Sequence, residues 1–202
     1  IVVKKGRAKP FFLHHPWVFS GAVERVEGHP AQGAVVRVTD CRGQFIALGF
    51  FNPSSQIRVR LFHWREADAI TPEFWKQRVE RALRLRTDTL RLPETANAFR
   101  LIYSEADGLP GLIVDRYADY LVVQWLTAGM AAQREPVLDA LEASLHPRGI
   151  LERPDDEMMD LEGIALPRGT ARGEAPEGPV EVQCDGLRLL ADIVHGQKTG
   201  AF

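Results

Sequence analysis

The chain has 202 residues, 45% of them hydrophobic, and a formal net charge of -2 at neutral pH. This content predicts folded cores and excludes wholesale disorder. No apolar run approaches the about 20 residues needed to cross a membrane. Two distant cysteines, Cys41 and Cys184, lack Cys-x-x-Cys partners and predict a reducing, cytoplasmic setting without a disulfide framework or zinc cluster. We interpret both as ordinary packing residues.

The charge is divided unevenly along the chain. Residues 1–91 carry a formal net charge of +8, and residues 92–202 carry -10. A basic half joined to an acidic half predicts a polyanionic partner on one side only. The acidic run over residues 155–162 lacks the spacing of a cation-binding loop, so we expect its carboxylates to be solvated.

Basic and aromatic residues are interleaved near the N-terminus. Basic side chains neutralise phosphates, and nearby aromatic rings can stack on exposed bases. We expect Val18 and Phe19 to be buried, with the basic side chains and His14 or His15 at the surface. The two histidines do not predict a metal site, because no third ligand lies at a supporting spacing. The candidate RNA-contacting residues here are Lys4, Lys5, Arg7, Lys9, His14, His15 and Trp17.

A small barrel is predicted next, from short strands separated by turn residues. These strands cover residues 33–39, 44–51 and 56–62. In the last of them apolar residues alternate with Gln56, Arg58 and Arg60, so the two arginines project together from the outside of the barrel. They are either phosphate contacts or simply solvated.

A helix and a second α+β unit follow. Thr71 can cap the helix and Pro72 suits its first turn, while Leu92-Pro93 ends it. Alternation and turn residues then predict a compact α+β domain. Its predicted elements are strands over 99–103, 112–116, 120–126 and 149–152, a helix over 129–145, a loop over 167–179 and a hairpin around Asp185-Gly186.

The last residues form a polar loop bracketed by glycines, which let a backbone approach a ligand closely. This loop is not a nucleotide-hydrolysing phosphate loop, since Gln197 rather than glycine precedes Lys198. A chain end with no role is the simpler alternative.

Four runs of residues together point to a family. They are residues 15–21 (HPWVFSG), 55–58 (SQIR), 105–116 (EADGLPGLIVDR) and 195–200 (HGQKTG). In this order they resemble the N-terminal half of the ribosomal RNA large-subunit methyltransferase I family of cytosine-5 methyltransferases. The resemblance covers essentially the whole chain.

The resemblance implies an α+β architecture in consecutive parts. These are a PUA-like β pseudo-barrel over residues 1–70, a linker helix over 71–97, a strand-strand-helix-strand-strand domain with the closing hairpin over 98–195, and the start of a Rossmann-like methyltransferase domain over 196–202. The rest of that last domain is absent from this chain. The resemblance further implies S-adenosylmethionine as cofactor, 23S ribosomal RNA as partner, a homodimer and a cytoplasmic location.

In the family's chemistry a cysteine thiolate attacks C6 of cytosine, C5 takes the methyl group, and a base removes the C5 proton. That cysteine belongs to the absent part, so we expect no catalytic residue here and no activity from this chain alone. The resemblance implies a cofactor or target-pocket rim at Gln197, Lys198, Thr199 and Gly200.

Two departures from the family pattern are visible: Ala201 replaces an aromatic residue, and residues 155–162 are acidic where the family tends to be basic. Two alternatives stay open. One is a stand-alone PUA-type RNA-binding protein without catalytic activity, and the other is a protein-interaction scaffold that uses the acidic half.

Overall fold

The computed structural model describes residues 1–66 and 70–196. The predicted rim residues Gln197, Lys198, Thr199 and Gly200 lie outside the described residues.

The N-terminal part folds as a six-stranded pseudo-barrel sheet. Its strands are β1 (Val2–Val3), β2 (Trp17–Phe19), β3 (Val23–Arg25), β4 (Val35–Thr39), β5 (Phe45–Phe51) and β6 (Ile57–His63), with a short helix α1 (Lys9–Phe12) before β2. They lie in the order β2-β6-β5-β4-β1-β3, antiparallel except for β1 beside β4. Val59 and Leu61 of β6 are buried in the barrel, as the period-two alternation predicts.

The expectation that Val18 and Phe19 are both buried is half wrong. Val18 is fully buried in the barrel core, whereas Phe19 is 47% exposed. Both lie in β2, where successive side chains point to opposite faces, so only one of the two can point inward.

The second unit is a five-stranded sheet covered by helices. Thr71 accepts the Phe74 N–H and Pro72 opens the first helix, as predicted. The sheet order is β11-β10-β9-β8-β7, with β10 parallel to β9 and the other pairs antiparallel. The elements are α2 (Pro72–Arg84), a π-helical turn (Leu85–Thr89), β7 (Ala98–Tyr103), β8 (Leu112–Tyr117), β9 (Tyr120–Trp125), α3 (Ala128–Ala131), α4 (Arg134–Leu145), β10 (Gly149–Glu152), α5 (Asp156–Glu162) and β11 (Gly169–Gly173).

Two predicted elements differ from those observed. The single helix expected over 129–145 is two helices, α3 and α4, and Pro136 lies in the first turn of α4, where its missing N–H is tolerated. The loop expected over 167–179 contains β11, which pairs with β10. Its sequence has weak strand propensity, and the pairing partner, not local preference, forms the strand.

The predicted hairpin is confirmed as β12 (Val180–Cys184) and β13 (Leu187–Ala191). Asp185 and Gly186 have φ of 48° and 82° in its turn. Positive φ at both turn positions matches the twist of antiparallel strands, which is why an Asp-Gly pair predicts this structure.

One hydrophobic core runs through both units. Phe50 and Phe62 of the barrel stack with ring centroids 4.5 Å apart, and Phe50 also stacks on Trp75 of α2 at 6.1 Å. The same cluster continues into the second sheet through Leu101 and Leu121. The α+β class with an N-terminal PUA-like barrel is therefore confirmed.

Residues 1–66 and 70–196 contain no doubly wound parallel sheet of the Rossmann type. Within the same residues, no helix has the length and apolar character needed to span a membrane.

Candidate nucleic-acid interface

The basic residues at the N-terminus lie at the protein surface. Lys5, Arg7 and Lys9 are exposed, and within the described residues none of them forms an ion pair. Lys4 is also exposed, and its Nζ donates to the Gly21 carbonyl at 2.9 Å. Three cations without internal partners are available for an external anion.

His14 and Trp64 form a tilted ring pair at the edge of the barrel. Their ring centroids lie 4.6 Å apart with an interplanar angle of 34°. His14 is exposed and has φ of 66°, and the Trp64 Nε1 donates to the Phe11 carbonyl at 2.8 Å. Positive φ outside glycine is uncommon and is often found at functional sites, with histidine among the enriched types. His15 also lies at the surface, where its Nδ1 accepts the Trp17 N–H at 3.3 Å.

Arg60 does not present a free charge. It does project from the outside of the barrel, as predicted, but the second unit covers that position. Its guanidinium lies 3.2 Å from the Glu105 carboxylate and 3.6 Å from that of Glu162, and its side chain is only 15% exposed. Trp17, which is half-buried and pairs with Arg60 across β2 and β6, donates its indole N–H to Glu105 at 2.7 Å. These two residues therefore join the barrel to the second unit.

Gln56 and Arg58 stay closer to the surface. Gln56 is exposed and accepts the Ser20 hydroxyl at 3.1 Å. Arg58 is half-buried, and its Nη1 donates to the Asn52 carbonyl at 3.4 Å.

The expectation of a wholly solvated acidic run is wrong at one residue. Asp155, Asp156, Glu157 and Asp160 are exposed, but Glu162 is buried at the junction with the barrel. Its Oε2 accepts from Asn52 Nδ2 at 2.8 Å and from the Ala128 N–H at 3.1 Å. These contacts and the nearby Arg60 hold the end of α5 against the barrel and the start of α3.

A large cleft lies where the barrel meets α2, and we call it the β6–α2 cleft. Its volume is 1090 Å³. Its walls come from the end of β6 and the residues after it, one side of α2, the turn before β8, and the residues around His14. They include His14, Trp64, Arg65, Phe74, Arg78, Arg81, Arg84, Glu105, Asp107 and Gly108.

The cleft carries an excess of positive charge. Arg65 and Arg81 are exposed and form no ion pair within residues 1–66 and 70–196. Arg78 is more buried, with its Nη2 donating to the Phe62 carbonyl at 3.0 Å and its guanidinium carbon 5.0 Å from the centre of the Phe74 ring. Burial and then the charges of Arg81 and Arg65 lower the pKa of Arg78. Burial and like charge both disfavour the protonated guanidinium, and burial is the larger effect at Arg78.

The carboxylates of the cleft are already neutralised from within. Glu105 faces Arg60, and Asp107 forms an ion pair with Arg86 whose Nη2–Oδ2 distance is 2.8 Å. Asp107 also accepts the Tyr103 N–H at 2.6 Å. In the described part of the chain the guanidinium groups of Arg65 and Arg81 therefore stay available to an external anion, whereas that of Arg84 lies 3.7 Å from the Glu80 carboxylate.

Gly108 keeps the space that Arg78 occupies. Its φ is +72°, and a Cβ at this position would lie less than 3.0 Å from the Arg78 guanidinium. A side chain here would displace that arginine. The Asp-Gly pair of the 105–111 run thus shapes one wall of the cleft.

This cleft was not predicted from the sequence. Arg78, Arg81 and Arg84 of α2 are spaced three residues apart and so share one face of the helix. That spacing was the available indication. The opposite wall, at His14 and Gly108, is too distant in sequence for local patterns to reveal.

Comparison with known proteins identifies the class of the N-terminal domain. Residues 1–64 match the family model of a PUA-like domain. The whole chain is 39% identical to a ribosomal RNA large subunit methyltransferase I from Erwinia tasmaniensis and 38% identical to one from Escherichia coli, covering 51% of each.

The chain is therefore similar over its whole length to ribosomal RNA large subunit methyltransferases I, and it spans about half the length of the curated relatives it matches. The predicted resemblance is confirmed.

Solved structures share this fold. SMU.776, a putative methyltransferase complexed with SAH, matches with a TM-score of 0.77 at 12% identity, over 94% of this chain and 47% of that one. A putative SAM-dependent methyltransferase from Streptococcus mutans matches with a TM-score of 0.74 at 11% identity, over 94% and 48%. At these identities the likeness establishes the fold alone.

Proposed function

We propose that this chain is the RNA-binding and substrate-positioning part of an S-adenosylmethionine-dependent 23S rRNA cytosine-5 methyltransferase. The observation that carries the proposal is identity of 38–39% to ribosomal RNA methyltransferases over all 202 residues. The PUA-like barrel and its unpaired cations support it. A homodimer and a cytoplasmic location belong to the same proposal.

The barrel surface binds the sugar-phosphate backbone of the RNA. Lys5, Arg7 and Lys9 have no internal anion among the described residues, so they can neutralise phosphates without breaking an ion pair. Lys4, His14, His15, Gln56 and Arg58 extend this surface. Trp17 and Arg60 act through Glu105, fixing the barrel against the second unit.

The methyl donor would supply the transferred group. The residues proposed for the rim of its pocket or of the target-base pocket, Gln197, Lys198, Thr199 and Gly200, lie outside the described residues. What the described residues do is bind and orient the RNA.

The proposal is tested by filter binding of the chain to a 23S rRNA fragment across a salt series. We expect the K5A/R7A/K9A variant to bind about tenfold more weakly or worse at low salt and to flatten the salt dependence. The matched control, R148A/R168A/R188A, removes three exposed charges from the acidic half and should bind like the parent. Equal losses in the two variants, or no RNA binding by the parent chain, would contradict the proposal.

Methyl transfer needs a separate assay with a protein that contains this chain at the length of its relatives. Incubation with a labelled methyl donor and 23S rRNA should yield 5-methylcytidine, identified by mass spectrometry. RNA binding without methyl transfer would instead favour a stand-alone PUA-type RNA-binding protein.

A further inference from the structure

We propose that the β6–α2 cleft holds one unpaired nucleotide of the RNA, with its base stacked on His14 and its flanking phosphates on Arg65 and Arg81. This inference rests on the proposed function and adds a defined subsite to it. His14 borders both this cleft and the basic surface at the N-terminus, whereas Arg65 and Arg81 belong to the cleft alone.

The stacking platform is the His14–Trp64 pair. The Trp64 indole N–H donates to the Phe11 carbonyl, and the His14 ring lies against the indole with its centroid 4.6 Å away and a tilt of 34°. His14 is itself exposed, and its left-handed backbone holds the ring over the indole. An exposed aromatic ring backed by a second ring offers a base a rigid stacking surface.

The charge of the cleft selects an anion. Arg65 and Arg81 are exposed and unpaired within the described part of the chain, while the cleft carboxylates Glu105 and Asp107 have internal partners. A neutral or cationic ligand would leave this charge unbalanced. Phosphates on either side of a stacked base would balance it.

The size of the cleft suits a nucleotide with adjoining backbone. At 1090 Å³ it lies slightly above the range for small-molecule pockets, which is roughly 300–1,000 Å³. A base inside a duplex keeps both faces stacked and its edge paired, so it cannot lie against His14. The cleft should therefore discriminate between single strands and duplexes.

The experiment measures fluorescence anisotropy of labelled oligouridine and of a labelled blunt RNA duplex, titrated with the 202-residue chain. We expect H14A to weaken single-strand binding about tenfold and to leave duplex binding unchanged. The H14F variant should restore most of the single-strand affinity, because phenylalanine also stacks.

The charge contribution is tested with R65A/R81A. Loss of two phosphate contacts should reduce the slope of log affinity against log salt by about 1.4 for a single strand. The control R42A/K76A removes two charges that do not line the cleft and should leave the slope near that of the parent. Circular dichroism melts check that every variant is folded.

The outcomes separate the two proposals. If the parent binds RNA but H14A and R65A/R81A match their controls on the single strand, the cleft proposal is wrong and the proposed function stands. Equal loss of duplex and single-strand affinity in H14A would also overturn the cleft proposal. If the parent binds neither RNA, both proposals fail.

Discussion

The indole Nε1 of Trp17 donates to the Glu105 carboxylate at 2.7 Å across 88 residues of sequence. Arg60 contacts the same carboxylate at 3.2 Å. Residues 105–111 thus contact the barrel through Glu105, and Gly108 among them leaves the space that the Arg78 side chain occupies. This run, which carries much of the family resemblance, acts structurally as the joint between the two units.

The first prediction concerns the pH dependence of this joint. Burial alone would raise the pKa of Glu105, but hydrogen bonds from Ser104 and Trp17 outweigh it and lower the pKa below its usual 4.5. A lowered carboxyl pKa adds stability above the unfolded value that is lost as the pH falls. We expect Glu105→Gln to lower the free energy of unfolding at pH 7 by about 1–3 kcal/mol in urea melts.

The difference in free energy of unfolding between Glu105→Gln and the parent should shrink as the pH falls below 4.5. The parent carboxyl is then protonated and, like the glutamine amide, carries no charge. Glu27→Gln, at an exposed pair with Arg25, is the control and should differ little from the parent at any pH. A Glu105→Gln difference that stays constant down to acid pH would argue against this account.

The second prediction concerns the buried ion pair between Arg86 and Asp107. The two side chains are 10% and 4% exposed, and both guanidinium Nη atoms reach the carboxylate. Lysine cannot reproduce this bidentate geometry. We expect Arg86→Lys to reduce the free energy of unfolding by about 3 kcal/mol, as for breaking a buried pair. Arg188→Ala, in an exposed pair with Glu181, should change it by under about 1 kcal/mol.

The third prediction concerns Gly129 at the start of α3. A Cβ there would lie less than 3.0 Å from the Phe50 side chain, which is itself packed in the shared core. We expect Gly129→Ala to destabilise the protein by about 1–3 kcal/mol through overpacking. Gly21→Ala meets no atom within 4 Å and has no positive φ, so it is the matched control. Equal melting temperatures for the Gly129→Ala and Gly21→Ala variants would contradict this prediction.

The fourth prediction concerns Phe50, a barrel residue that stacks on Phe62 and Trp75. We expect Phe50→Ala to lower the free energy of unfolding by about 3–5 kcal/mol, the range for a buried phenylalanine. Because the core is shared, barrel and second unit should lose stability together. Hydrogen exchange should show faster exchange in β6 and in β8 alike, and a change confined to β6 would contradict this.

Local patterns in the sequence predicted most of the fold. Alternation placed Val59 and Leu61 inside the barrel, and the Asp185-Gly186 turn set the register of the hairpin. The pattern failed where a partner distant in sequence decides the structure. Strand β11 forms because it pairs with β10. Glu162 is buried where its carboxylate accepts a hydrogen bond from Asn52, 110 residues away.

The candidate site was predictable only in part. The sequence indicated the exposed basic residues, since charge needs no fold to be recognised. It did not reveal that the second unit covers Arg60 or that His14 and Arg81 line one cleft. The proposed domain limits at residues 70 and 97, and the roles of the RNA-contacting residues, stay predictions.

The stacking of Phe50 and Phe62 on Trp75 has an evolutionary consequence. A barrel that packs Phe50 and Phe62 against Trp75 of α2 cannot be exchanged between proteins at the end of β6 without exposing those rings. Recombination would preserve folding only where both partners retain matching aromatic shapes on either side of the breakpoint. The PUA-like domain of this chain should therefore be inherited together with the α+β unit that follows it, as a single heritable block.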